Sequence, residues 1–265
     1  MKYLLVVFGA LILINSASAQ KDRSLFFGVN VGVKLANKNY AARYSGAYQN
    51  ELYYAINQQF TYDEIYRLLG DKHFALAYDA YPLNMRYSPG LVTGLTVGYQ
   101  LNPNIQMSLD ANFNKLTAKD VFTVEVFDPT NGTSEPVINI GQLVGKESRF
   151  DGRYNIDYVA DGTKARFIIG LSGIFNAWRI DEHVAIFQGY SMPLFSKFNP
   201  TNNFTNKVSG MGWGGGINIG VEYPFSDNII AQIMYQPYQT KVDYGYLINK
   251  RIILQHDLTV RFLWK

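Results

Sequence analysis

The stretch His256-Asp257-Leu258-Thr259-Val260-Arg261-Phe262-Leu263-Trp264-Lys265 decides the fold. Leu258, Val260, Phe262 and Trp264 share one parity, and Thr259, Arg261 and Leu263 share the other. Successive side chains of a strand point to opposite faces, so as a strand this segment has one apolar face ending in an aromatic ring and a second face carrying Arg261.

The same rhythm recurs upstream. A first strand runs from Leu25 to Asn37, with Phe27, Val29, Val31, Val33 and Leu35 opposite Gly28, Asn30, Gly32 and Lys34. A second carries Leu91 to Leu101 and turns at Asn102-Pro103-Asn104 into a third, Ile105 to Phe113, whose other face holds Gln106, Ser108, Asp110, Asn112 and Asn114. A fourth is expected over Lys164–Trp178, a turn at Arg179–His183, and a fifth, poorly alternating strand over Val184–Phe195, which should end near Pro193 because proline cannot donate to a ladder. A sixth over Trp213–Tyr223 and a seventh over Ile229–Tyr235 precede the terminal one. Connections after the odd-numbered strands are long and those after the even-numbered ones short, which puts all long loops at one end. The segments 38–87 and 119–163 are the large loops. In the first, Thr61-Tyr62-Asp63-Glu64 resembles a capping box before Ile65, Leu68 and Leu69, with Gly70 as the stop. In the second, Val121–Phe127 and Val137–Ile140 flank Asp128-Pro129-Thr130-Asn131-Gly132 as a surface hairpin.

Composition narrows the class. Among 265 residues there are 20 Tyr, 17 Phe and 23 Gly but no Cys, which excludes disulfides and thiolate metal sites. A formal charge of +3 with 17% charged residues is too weak a bias to suggest a nucleic-acid partner. Lys2, the apolar run Tyr3–Ile14 and Ala17-Ser18-Ala19 form a secretory signal over residues 1–19, leaving 20–265 as one barrel. The apolar run is shorter than the roughly 20 residues needed to span a bilayer, and no later stretch is long enough either, so a membrane location requires strands.

An eight-stranded lumen has room only for side chains, and the glycines at 28, 32, 94, 98, 214, 216 and 220 all fall on the polar face. Aromatics such as Tyr99, Tyr223, Trp264, Phe113, Trp213 and Tyr235 fall at the ends of the apolar face, as membrane interfaces favour. The polar face therefore points inward and the apolar face outward. With its strand period, turn asymmetry and Phe262/Trp264 ending, the chain resembles the eight-stranded outer-membrane barrels of the OmpA transmembrane domain and OmpX group, although its final residue is Lys265 instead of an aromatic. The resemblance implies an all-β, antiparallel up-and-down transmembrane β-barrel in a bacterial outer membrane, with extracellular loops containing a short helix and a hairpin, and periplasmic termini. It also implies that Phe262 and Trp264 serve as an assembly signal read by the barrel-assembly machinery, with outer-membrane lipid around the wall.

Charges expected inside, namely Lys34, Asp110, Arg166, Glu222 and Arg261, must pair in a water-poor lumen, and Glu222 with Arg261 is the expected pair. Such pairing plugs the lumen and argues against a general porin. Of the three histidines, His73 falls in the first loop, His183 in a periplasmic turn and His256 on the outward face. His256 is followed by Asp257 and Leu258, so no serine has the spacing that nucleophilic catalysis needs, and neither a catalytic residue, a metal site nor a cofactor is expected. The first loop holds Tyr40, Tyr44, Tyr48, Tyr53, Tyr54, Tyr62, Tyr66, Tyr78 and Tyr81. Tyrosine supplies rigid amphipathic contact area, so these residues either bind a partner or pack on one another as a cap over the barrel.

The expected function is non-enzymatic: loops that bind a surface or envelope protein or another ligand. The alternatives are an accessory barrel of a secretion or assembly complex and a lipid-modifying barrel enzyme. Cleavage after Ala19 should give a mature chain beginning at Gln20, readable as the intact mass of the exported protein.

Overall fold

The structure, a computed structural model, describes residues 24–265 apart from 48–49, 78, 83, 129, 131–134, 163, 195–208, 227 and 242–252. The expected signal segment thus lies outside the described residues. The strands are β1 (Ser24–Leu35), β2 (His73–Leu76), β3 (Gly90–Asn102), β4 (Ile105–Phe127), β5 (Val137–Val159), β6 (Arg166–Phe187), β7 (Tyr190–Pro193), β8 (Ser209–Pro224), β9 (Ile229–Thr240) and β10 (Ile253–Trp264). Eight of them close a ring of antiparallel neighbours, β1-β3-β4-β5-β6-β8-β9-β10, sealed where Phe27 pairs with Trp264 and Leu35 with His256. β2 and β7 are short outriders on β4 and β6. Closure satisfies the backbone groups that an open sheet edge would leave bare. No helix among the described residues is long and apolar enough to cross a membrane, which leaves open what strands do.

The count of eight agrees with the sequence reading, but one member differs. Residues 119–163 are not a loop: β4 continues to Phe127 and β5 occupies Val137–Val159 as a full member of the ring. The expected fifth strand over Val184–Phe195 is not a ring strand, since Tyr190–Pro193 folds back onto Val184–Phe187 through Gln188-Gly189. Gln188 and Gly189 both have positive φ, the backbone that a two-residue hairpin turn requires. The expected turn at Arg179–His183 is instead a β-bulge inside a continuous strand: Glu147 pairs with Ile180 and Lys146 with Glu182, leaving Asp181 as the extra residue. A bulge shifts the parity of everything beyond it. Trp178 and Ile180 face inward before it, and His183, Ala185 and Phe187 after it.

The apolar parity faces out. On β6 it includes Phe167, Ile169, Leu171, Phe175 and Ala177, a run of about 35 Å along a strand and roughly 25 Å tall at a 45° tilt. Aromatics bound this band, with Tyr158, Tyr223 and the stacked Phe27–Trp264 pair toward the short turns and Phe113, Phe150, Phe175 and Trp213 toward the long connections. The inward glycines make room for large neighbours: a Cβ on Gly98 would strike the ring of Phe26, and one on Gly216 would strike Tyr238.

Beyond the band, β4, β5 and β6 continue as a three-stranded extension. Residues 38–87 fold onto it as a helical turn Lys38–Ala41, a 3-10 turn Ala42–Tyr44, helix α1 (Glu51–Ile56), helix α2 (Gln59–Leu68) and β2. The expected capping box at Thr61 is not a cap. Gln58 holds that position, and Thr61 is buried inside α2 because Ile65 and Thr61 form the face turned to the extension. Gly70, at φ +69°, does follow the helix end. Tyr40, Leu52, Ile56, Ile65 and Phe74 pack with Phe122, Leu143, Trp178 and Phe187 into a second core above the ring.

Deleting Asp181 together with Glu182 should restore strict alternation and turn His183, Ala185 and Phe187 away from that core, whereas deleting Asp181 alone keeps all three facing it. The expected product keeps heat-modifiable gel mobility, the sign of a folded barrel, while residues 38–87 become cleavable by protease. Continued protection in the double deletion would show that the inward facing of these three residues does not seat the cap.

Candidate functional site

Two regions concentrate chemistry: the lumen, and the cap above it. Lumen chemistry begins with β5, whose inward residues are Arg149, Asp151, Arg153, Asn155 and Asp157, all buried. Their partners come from across the ring. Lys34 of β1 bonds Asp151, which also accepts from Asn114 at 3.1 Å and from Asn176. Arg153 bonds Asp257 of β10 and donates to Gln236 of β9 at 2.7 Å. Arg149 bonds Glu147 and Gln255. Tyr238 lies against both Lys34 and Arg153, with their charged groups 5.5 and 4.7 Å from its ring centre.

The expected Glu222–Arg261 pair is replaced by two others. Glu222 is bonded by Arg166 and accepts from Gln232 at 2.8 Å, while Arg261 donates to Asp110 at 2.7 Å. Register explains the exchange: Arg166 stands directly opposite Glu222 on the neighbouring strand, whereas Arg261 reaches across the lumen to β4. Asp110 also takes hydrogen bonds from Thr96 and Asn155, at 2.8 and 2.9 Å. Near the short turns the interior becomes apolar, with Phe26, Ile230 and Leu263 in contact and Val159, Ile168 and Met234 in a second group. The lumen is therefore crossed by ion pairs and closed below by apolar side chains.

The nine loop tyrosines divide into distinct roles. Tyr40 and Tyr44 are fully buried: Tyr44 donates to Glu147 at 2.8 Å, and Tyr40 donates to the Thr240 carbonyl at 3.0 Å and lies under the Arg149 guanidinium. Glycine at 145 leaves space for the Tyr44 ring. Tyr87 also donates to Glu147, at 2.9 Å, so the uppermost lumen charges hold the cap down. Tyr62, Tyr66 and Tyr81 are half-buried against the upper core, Tyr62 stacking on Phe74. Tyr53 and Tyr54 stand exposed, edge to face at 5.8 Å, and Phe60, which the sequence reading passed over, is 76% exposed on α2. Tyr48 and Tyr78 lie outside the described residues.

His183 is not in a turn. It sits inside the cap at the bulged end of β6, edge-on to Tyr44, with Nδ1 3.6 Å from Glu51. Glu51 in turn accepts two hydrogen bonds from Arg43, at 2.7 and 2.9 Å. Burial, helped by the Arg43 charge, drives the imidazole down to about 3. Burial also raises the Glu51 carboxyl above its usual range against the pull of Arg43. His256 faces outward with Nδ1 2.8 Å from the Tyr235 hydroxyl and the two rings nearly parallel. His73 lies 3.3 Å from the Tyr62 hydroxyl on the exposed side of the cap. Among the described residues no group of three or more His, Asp or Glu side chains could hold a metal ion.

The missed functional residues, Arg149, Asp151, Arg153 and Asp157, had a legible signal. Phe150, Tyr154, Ile156 and Tyr158 alternate with them without a break, but so many charges read as a loop. No protein-family model matches the chain, and no curated protein matches it. Among solved structures it is similar to Neisserial surface protein A, with 9% identity over 92% of this chain and 99% of that one and a TM-score of 0.46. A likeness of that size bears on neither family membership nor activity.

The titration of His183 sets an expected pH dependence for the cap. Below 6.5 His183 takes up a proton when the cap is open that it refuses beneath the closed cap until about 3, so cap stability falls with pH across that window by about 1.4 kcal/mol per unit. Glu51 acts in the opposite sense, because burial raises its carboxyl and lets the folded state take up a proton before the unfolded one as the pH falls, and it offsets part of the loss there. Hydrogen exchange in residues 51–68, corrected for intrinsic rates, should lose about tenfold in protection per pH unit from 6.5 downward until Glu51 begins to titrate, and His183→Leu should flatten the profile.

Proposed function

We propose that the protein is a non-enzymatic bacterial outer-membrane barrel that recognises a surface or envelope partner through its cap. The long connections face the cell exterior and the termini the periplasm. An outward apolar band of about bilayer height, bounded by aromatic rings, supports the membrane location. Membership of the OmpA transmembrane domain and OmpX group belongs to the same proposal, as does the reading of Phe262 and Trp264 by the barrel-assembly machinery.

One observation carries the recognition reading. The lumen is bridged by cross-ring ion pairs and covered by a packed cap, which leaves no role for free conduction and places the exposed aromatics on a rigid platform. Tyr53, Tyr54 and Phe60 project from two short helices whose other faces are anchored by Leu52, Ile56 and Ile65. Rings held in place bind at low entropic cost, since few rotamers remain to be lost. Tyr40 and Tyr44 are excluded from contact by their burial, so the surface is smaller than the full set of loop tyrosines.

Tyr53→Ala/Tyr54→Ala/Phe60→Ala should leave the folded yield unchanged and weaken capture of the partner by 30-fold or more, roughly the loss of one strong aromatic anchor. The measurement is recovery of crosslinked companions from intact cells, quantified against the wild-type chain. Undiminished recovery would move recognition to the wall or to another connection.

A further inference from the structure

The outward face changes character abruptly where β4, β5 and β6 leave the apolar band. Phe113 stands opposite Phe150, and two residues further along each strand the outward positions become Lys115, Ser148 and Arg179, which are direct neighbours across the three strands. The next outward positions hold Lys146 and Glu182, then Lys119. Four cations (Lys115, Lys119, Lys146, Arg179) thus face two carboxylates (Asp181, Glu182), an excess of two positive charges.

The carboxylates are already engaged. Asp181, displaced outward by the bulge, accepts from the Ser148 hydroxyl and from Arg179 Nε at 3.0 Å, and Glu182 pairs with Lys146 at 2.6 Å. Lys115 and Lys119 form no ion pair among the described residues. Arg179 is held by one edge of its guanidinium while its side chain remains 54% exposed. On β1, β3, β8 and β9 the first outward position past the apolar run is uncharged: Asn37, Pro89, Ser209 and Gln239. Among the described residues the cations that border the apolar band are therefore grouped in this sector, with Lys241, beyond Gln239, standing apart from them.

We infer that Lys115, Arg179 and Lys119, immediately above the Phe113–Phe150 rings, bind the phosphate of a phosphorylated lipid headgroup in the leaflet next to the long connections. This rests on the membrane reading. Charge complementarity and continuity with the apolar band fix the occupant, because the same molecule that lays acyl chains on Phe113 and Phe150 brings its headgroup to the cations. Strands lie about 4.8 Å apart, so Lys115 and Arg179 start about 10 Å from each other and their long side chains converge on one phosphate. Guanidinium with ammonium suits a phosphomonoester, the first through directed hydrogen bonds and the second as a point charge.

The test uses the full chain refolded into phosphatidylcholine vesicles doped with diphosphoryl lipid A or with its dephosphorylated form. Insertion is read by heat-modifiable mobility and bound lipid by native mass spectrometry after mild extraction. The wild-type chain should retain the phosphorylated lipid over the dephosphorylated one by on the order of tenfold, Lys115→Gln/Lys119→Gln should bring that ratio toward one with insertion unchanged, and excess inorganic phosphate should not displace the lipid. A wild-type ratio near one in an inserted barrel, an unaltered ratio in the variant, or displacement by free phosphate overturns the headgroup site alone. Failure to insert overturns the membrane reading together with it.

Discussion

A ring of eight strands encloses too little space for water to solvate charge, and this chain nonetheless places Lys34, Arg149, Arg153, Arg166 and Arg261 inside it with Asp110, Glu147, Asp151, Asp157, Glu222 and Asp257. Removing one partner of a buried pair leaves an uncompensated charge at a cost of about 3–5 kcal/mol, so each pair constrains the others. Because Lys34–Asp151, Arg153–Asp257 and Arg261–Asp110 join strands on different sides of the ring, they act as struts. The hydrogen-bonded ladder sets the spacing between neighbouring strands, and the struts set the width of the lumen.

The cap depends on the same constraint. Glu147 and Arg149 are the last charges of the ladder, and their remaining hydrogen-bonding capacity is taken by Tyr44, Tyr87 and the ring of Tyr40. Without residues 38–87 these two charges would meet open solvent; with them, the lumen continues into the apolar core of Leu52, Ile56, Phe122 and Trp178. Wall and cap are therefore one structure, although only the wall has the height of a bilayer. Recognition by Tyr53, Tyr54 and Phe60 would inherit the rigidity of the ion pairs below them.

Much of this was legible from alternation alone. Period-two patterns placed β1, β3, the start of β4, β8, β9 and β10 within a few residues, and the polar parity was correctly turned inward. Three things were not legible. β5 carries its pattern in charged and aromatic residues instead of aliphatic ones, so its polarity resembled a loop. The bulge at Asp181 interrupts the count without interrupting the strand, which made β6 look like two strands and a turn. The tyrosines of the first connection could not be sorted into buried and exposed from sequence, because whether a ring packs or projects depends on the extension of β4 to β6 beneath it. The pairing of Glu222 failed for a related reason: depth along a strand was readable, but cross-lumen reach was not.

The inward row of β5 also bears on how faithfully the ring is built. Side chains alternate with period two, so a slip of one residue would turn Arg149, Asp151, Arg153 and Asp157 to the outside and Phe150, Tyr154, Ile156 and Tyr158 to the inside. In the membrane setting proposed above, an outward arginine costs about 2–4 kcal/mol near the midplane and about 0–1 near the interfaces, acids somewhat less. Asp151 and Arg153 would fall within the band and Arg149 and Asp157 beside its rim rings, so the slip costs on the order of 5 kcal/mol, a large share of the stability of an ordinary domain. A misaligned β5 is therefore strongly disfavoured against the correct register. The charges that close the lumen thus serve a second purpose as an error check, discarding wrong alignments before the ring can shut.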